Sequence, residues 1–142
     1  LVKVAVKSRR IGITWATGYE AVEVASAAHG SDFWYQTYAE DDAKEFIGDC
    51  SEWARAIDAM FTTEEETLYG DEAHEFFILP EGEQSIKLTS IRFTSGYRIT
   101  ALPHAPRKLR GKGGVYCCDE AAVHDNLDAV MKAAMAFQVW GG

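Results

Sequence analysis

Hydrophobic and polar positions change period several times along the chain, and each change marks an expected element. Residues 2–6, VKVAV, form a short β-branched run followed at once by a polar turn and then by a helical stretch from about Thr14 to Ala28. The order there is strand, loop, helix. DFWYQTYA, beginning at Asp32, is aromatic-rich and reads as a second strand. From Asp41 to Phe61 the apolar residues Phe46, Ile47, Cys50, Trp53, Ala54, Ile57, Met60 and Phe61 recur at helical spacing, with acids crowding the first turn. This is the most clearly written helix in the chain.

Further on, EFFILP is followed by SIKLTSIRFTSGYRITAL, in which a turn at Ser95 and Gly96 separates two alternating runs, so a β-hairpin is expected. PHAPRKLRGKGG reads as a loop by its Pro, Gly and charge content, and it leads into the strand-like VYCCDE and a last helix around Leu127, Val130, Met131 and Ala134. Strands alternate with helices over most of the length. That alternation predicts a three-layer α/β domain with a largely parallel central sheet and a β-hairpin insertion, whose ligands bind beyond the carboxyl ends of the strands.

A length of 142 residues with 47% hydrophobic content is enough for one core and predicts a single domain. The apolar runs fall far short of the ~20 residues of a membrane span, and the chain opens on no basic-then-apolar leader, so a soluble intracellular protein is expected. Leu1 already begins strand-like sequence and the last residues stop after a helix, which reads as truncation at both ends.

The net charge of −8 is localised. Thr62 to Gln84 carries eight acids and no Lys or Arg; without them 14 acidic residues balance 14 basic ones. Ser85 to Lys112 then holds seven basic residues and no Asp or Glu. Such a stretch is either an ordinary solvated surface or a stripe facing a polyanion. The three cysteines, Cys50, Cys117 and Cys118, form no metal or disulfide spacing, and adjacent Cys117 and Cys118 in a strand would point to opposite faces, so all three read as core thiols of a reducing compartment. His29, His74, His104 and His124 show no ligand spacing. Trp15, Trp34, Trp53 and Trp140 fit core packing, with Trp15 also placed to line a nucleotide pocket.

The loop Lys7, Ser8, Arg9, Arg10, Ile11, Gly12, Ile13, Thr14 sits between the first strand and the first helix. Against the phosphate-loop pattern GxxxxGK[ST], Gly12 matches the second glycine and Thr14 the magnesium-binding hydroxyl, whereas Lys7 replaces the first glycine and Ile13 the lysine. Phosphate binding needs backbone N–H groups at a helix N-terminus, a hydroxyl on Mg²⁺ and a cation near the β- and γ-phosphates, and Lys7 is placed to be that cation. The alternative is an ordinary basic strand-to-helix loop. In GVYCCDEA an apolar strand ends in Asp119 and Glu120, the Walker B arrangement, where the Asp orders Mg²⁺ and the Glu polarises the attacking water. The same pair would also serve as a plain helix cap.

KSRRIGIT, WYQTYAEDDAKEFIGDC and LRGKGGVYCCDEAAVHD together resemble the Mu-type branch of phage large terminases, over nearly the whole chain. Lambda-type terminases are similar in carrying the phosphate-loop lysine early, as Lys7, and an arginine two residues before the glycine, as Arg10; in other tailed phages the loop resembles SRQxGKT, which puts the arginine on Arg9 and the lysine on Ile13. The resemblance implies a RecA-like P-loop ATPase fold of the ASCE type over residues 1–142, binding ATP and Mg²⁺. It further implies that Lys7 through Thr14 hold nucleotide, Thr14 and Asp119 hold Mg²⁺, Glu120 activates water, and Arg9 or Arg10 stabilises the transition state. The LRG segment places Arg110 in a basic site loop near nucleotide or DNA. Expected partners are double-stranded DNA, the portal, the small terminase subunit and further copies in a ring, in the bacterial host cytoplasm. The family's coupling motif would begin past Gly142 and its nuclease domain further on. Two rivals stand beside this reading: another P-loop DNA motor such as a helicase, and a non-hydrolysing nucleotide-binding assembly module suggested by Ile13.

Overall fold

The computed structural model describes residues 5, 11–61, 72–77, 86–103, 113–119, 132 and 135, with side chains for 11–57, 90–103 and 113–119 among them. The elements are α1 (Ile13–Ser26), β1 (Phe33–Gln36), α2 (Glu40–Phe61), β2 (Glu72–Phe77), β3 (Ile86–Arg92), β4 (Arg98–Leu102) and β5 (Val115–Cys118). The VKVAV strand lies outside the described residues apart from Ala5, and of the last expected helix Lys132 and Met135 are described, both helical.

One five-stranded sheet runs in the order β2-β3-β4-β1-β5. Its centre is parallel: Phe33 to Gln36 of β1 pair with Ile99 to Leu102 of β4 on one side and with Val115 to Cys118 of β5 on the other. The β3 and β4 strands form the expected hairpin, antiparallel with Ile91 opposite Ile99, and β2 extends it antiparallel to β3. The sheet is therefore mixed, parallel where strands enter from separate crossovers and antiparallel where the chain doubles back through the short turn at Ser95 and Gly96. Gly96 has φ 90, the left-handed backbone such a turn needs.

Strand alternation divides the sheet into two faces. Phe33, Tyr35, Ile91, Ile99 and Ala101 form one core with Ala21, Val22 and Ala25 of α1 and Ala43, Phe46, Ile47, Cys50 and Ala54 of α2. The opposite face is buried as well at Ser90, Thr100, Leu102, Trp34 and Gln36. Burial on both faces is what central parallel strands require.

Small residues bring α1 close to α2. A Cβ on Gly18 would stand 3.6 Å from the Trp53 ring and 3.7 Å from Cys50 Sγ. Three acids, Glu40, Asp41 and Asp42, occupy the first turn of α2, where they complement the helix dipole. At the amino end of the sheet Asp32 joins three strands: its carboxylate accepts the Arg98 N–H at 3.0 Å and its carbonyl accepts the Val115 N–H at 2.9 Å. Gly114, with φ 127, permits this approach, since any Cβ there would collide with the Asp32 carbonyl. The sheet is thus clamped at its amino end, and its carboxyl end carries the candidate chemistry.

Candidate functional site

Gly12 precedes α1 with φ 75 and ψ 16, a left-handed conformation. A Cβ at this position would meet nothing within 4 Å, so the backbone angle and not crowding selects glycine. The Gly12 carbonyl accepts the Ala16 N–H at 3.0 Å and starts the helix. No side chain caps that end among the described residues, and its first turn holds no acid. By helix geometry the N–H groups of Ile13, Thr14 and Trp15 find no acceptor within α1, leaving the positive end of its dipole beside Thr14.

Across the site, Asp119 directly follows β5. Its N–H donates to the Gln36 carbonyl at 2.9 Å, continuing the parallel ladder by one residue and fixing the carboxylate at the carboxyl edge of the sheet. One oxygen of that carboxylate, Oδ2, accepts from the Tyr35 hydroxyl at 2.7 Å and from the Thr14 hydroxyl at 3.4 Å. Thr14 and Asp119 are 105 positions apart in sequence. The fold brings together the two residues that sequence reasoning assigned to one metal ion.

Tyr35 is the residue that sequence reasoning missed. It is 2% exposed, and its ring stacks on Phe46 with centroids 3.6 Å apart and planes 7° from parallel. Burial first, then the hydrogen bond to Asp119, pushes its hydroxyl far above the usual tyrosine range, so it stays protonated and donates. Burial and the neighbouring Asp119 also raise the Cys118 thiol, which keeps it protonated and unsuited to nucleophilic work. Cys117 packs against the core on one face and Cys118 lies on the other, as strand alternation predicts.

Gln36, beside this edge but on the face opposite Tyr35, is 1% exposed, and its side-chain Nε2 and Oε1 have no hydrogen-bond partner among the described residues. Ile11 is exposed and Ile13 half-buried. Trp15 departs from the expected core placement: it lies in the first turn of α1, is 40% exposed and leans on Trp53 of α2, with ring centroids 5.0 Å apart. Trp34 is buried at 1% exposure, as expected. Lys7, Ser8, Arg9, Arg10, Arg110 and Glu120 lie outside the described residues.

No family model matches the chain, and no solved structure does so significantly. Two curated proteins do. The chain is 40% identical over 142 residues to the Mu-like prophage FluMu protein gp28 of Haemophilus influenzae, covering 98% of the chain and 26% of that protein. The chain is a homologue of Mu-type gp28. It is also 35% identical over 144 residues to a protein of Escherichia phage Mu named probable terminase, large subunit gp28, covering 97% of the chain and 24% of the relative. The chain therefore spans about a quarter of the length of the curated relatives it matches. Among the described residues of the gp28 homologue, no helix is long and apolar enough to cross a membrane.

Proposed function

We propose that the chain is the nucleotide-binding core of an ATP-hydrolysing motor that packages phage DNA. The observation that carries this reading is the convergence of the Thr14 hydroxyl, at the N-terminus of α1, on the Asp119 carboxylate at the end of β5. A hydroxyl and a carboxylate are hard oxygen donors of the kind Mg²⁺ takes, and a helix start entered through a left-handed glycine suits a phosphate, so the residues present fit Mg²⁺-ATP. When bound, Mg²⁺ supplies charge neutralisation at the phosphates.

The chain's own residues divide the remaining work. Thr14 and Asp119 hold the metal, and the amides of Ile13 and Thr14 meet phosphate oxygens. Lys7 is the phosphate cation in place of Ile13, with Ser8, Arg9, Arg10, Ile11 and Gly12 completing the loop. Glu120 accepts a hydrogen bond from the attacking water and draws its proton, and Arg9 or Arg10 stabilises charge on the transferred phosphoryl group. Arg110 belongs to a basic loop near nucleotide or DNA. The phage Mu relative is named a probable terminase large subunit, which supports DNA packaging as the task; the partners that follow from this reading, for the full-length protein in the host cytoplasm, are double-stranded DNA, a portal, a small subunit and further copies in a ring.

In the full-length protein Glu120→Gln is expected to bind ATP as the parent does and to lower turnover at least about 10²-fold, the scale of a lost water-activating group. Parent-like turnover removes Glu120 from this role. A parent protein that binds ATP and does not turn it over, with DNA present, favours the non-hydrolysing module instead.

A further inference from the structure

We infer that Tyr35 is the positioning residue for Asp119: its hydroxyl holds the carboxylate in the orientation that metal and nucleotide binding use. This rests on the proposed reading of the Thr14 and Asp119 site and adds to it a residue that no phosphate-loop or acidic-pair motif contains.

The two hydrogen bonds to Asp119 Oδ2 are unequal. The Tyr35 hydroxyl stands at 2.7 Å, a charge-assisted distance, whereas Thr14 stands at 3.4 Å, near the limit of a hydrogen bond. Thr14 can therefore turn its hydroxyl to a ligand at little cost while Tyr35 keeps its grip. That grip is rigid because the ring is buried, stacked on Phe46 of α2 and carried on β1, the central strand whose Gln36 carbonyl also anchors the Asp119 N–H. Both the backbone and the carboxylate of Asp119 are thus referred to the same strand. A side chain at a strand end otherwise turns about two bonds, and a metal ligand needs that freedom removed. The hydroxyl performs this task, and the ring performs packing. One substitution separates the two.

Tyr35→Phe keeps the ring, the stack on Phe46 and the apolar contacts, and deletes the donor. Full-length parent, Tyr35→Phe and Asp119→Ala are compared by ATP binding in excess EDTA, by ATP binding across a Mg²⁺ titration, and by Mn²⁺ paramagnetic resonance with ATP, with thermal melts as the check on folding. For Tyr35→Phe, ATP binding in EDTA is expected to equal the parent's, and the Mg²⁺ and Mn²⁺ concentrations for half-maximal binding are expected to rise about tenfold, the lower end of effects seen when a group orienting a metal ligand is removed. If Tyr35→Phe keeps the parent's metal dependence while Asp119→Ala loses it, the site reading stands and Tyr35 is a packing residue only. If Asp119→Ala itself keeps the parent's metal dependence, the site reading and this inference both fall.

Discussion

Asp119 is held from two directions, by the strand beside it and by the N-terminus of α1. Its N–H is bonded to Gln36, and its carboxylate to Tyr35 and Thr14. Gly12 and Thr14 stand out in the sequence as a loop glycine with a hydroxyl two residues on, and the structure shows the left-handed helix start at Gly12 and the contact of Thr14 with Asp119. Asp119 was legible as an acid ending an apolar strand. Tyr35 was not, because its function depends on the register of β1 against β5, and nothing local in DFWYQTYA specifies that Tyr35 lies beside Cys117. Gln36 was invisible for the same reason. The sharpest residue-scale prediction concerns the cation, since Ile13 occupies the usual lysine position. Lys7→Ala in the full-length protein is expected to weaken ATP binding about tenfold or more, the loss of a charge-assisted hydrogen bond worth roughly 1.5–3 kcal/mol, and to slow turnover as well. Arg9→Ala and Arg10→Ala are expected to act mainly on turnover. Isothermal titration with Mg²⁺-ATP decides it, and parent-like affinity in Lys7→Ala transfers the phosphate contact to an arginine.

Among the elements, α2 follows its sequence closely, Glu40–Phe61 against an expected start at Asp41, because a broad apolar stripe and an acidic first turn both mark it. The α1 helix is written more faintly. Its buried side is Gly18, Ala21, Val22 and Ala25, small residues whose value lies in close approach to α2 rather than in area buried. The exposed Trp15 and Tyr19 on the same helix carry the larger side chains, which is why periodicity alone misplaced Trp15 in the core. Close approach does not itself demand glycine at position 18, because a Cβ there makes ordinary van der Waals contact with Trp53, Asp49 and Cys50 at 3.6–3.7 Å. Gly18→Ala is therefore expected to stabilise the fold by about 0.5–1 kcal/mol through reduced backbone entropy of the unfolded chain. Urea denaturation measures this at unchanged m value. A loss of stability in Gly18→Ala would mean that α1 and α2 pack more tightly than these contacts allow.

At the scale of the whole molecule, the parallel centre of the sheet places the candidate chemistry at its carboxyl edge, where open α/β sheets bind ligands, while the antiparallel β2 and β3 extension lies to one side of it. The strand, loop and helix alternation made the α/β class readable; the strand order was not, because it follows from crossovers between segments far apart in sequence. On the proposed reading Thr14 and Asp119, though distant in the chain, serve one metal and nucleotide site. The most direct test of that reading is a double-mutant cycle in the full-length protein, with Mg²⁺-ATP affinity measured for the parent, Thr14→Val, Asp119→Asn and the double variant. Each single change is expected to weaken binding about tenfold or more and the double variant to be little worse than either, a coupling of about 1 kcal/mol or more between the two positions. Strictly additive losses, or an Asp119→Asn protein that binds Mg²⁺-ATP as the parent does, would contradict it.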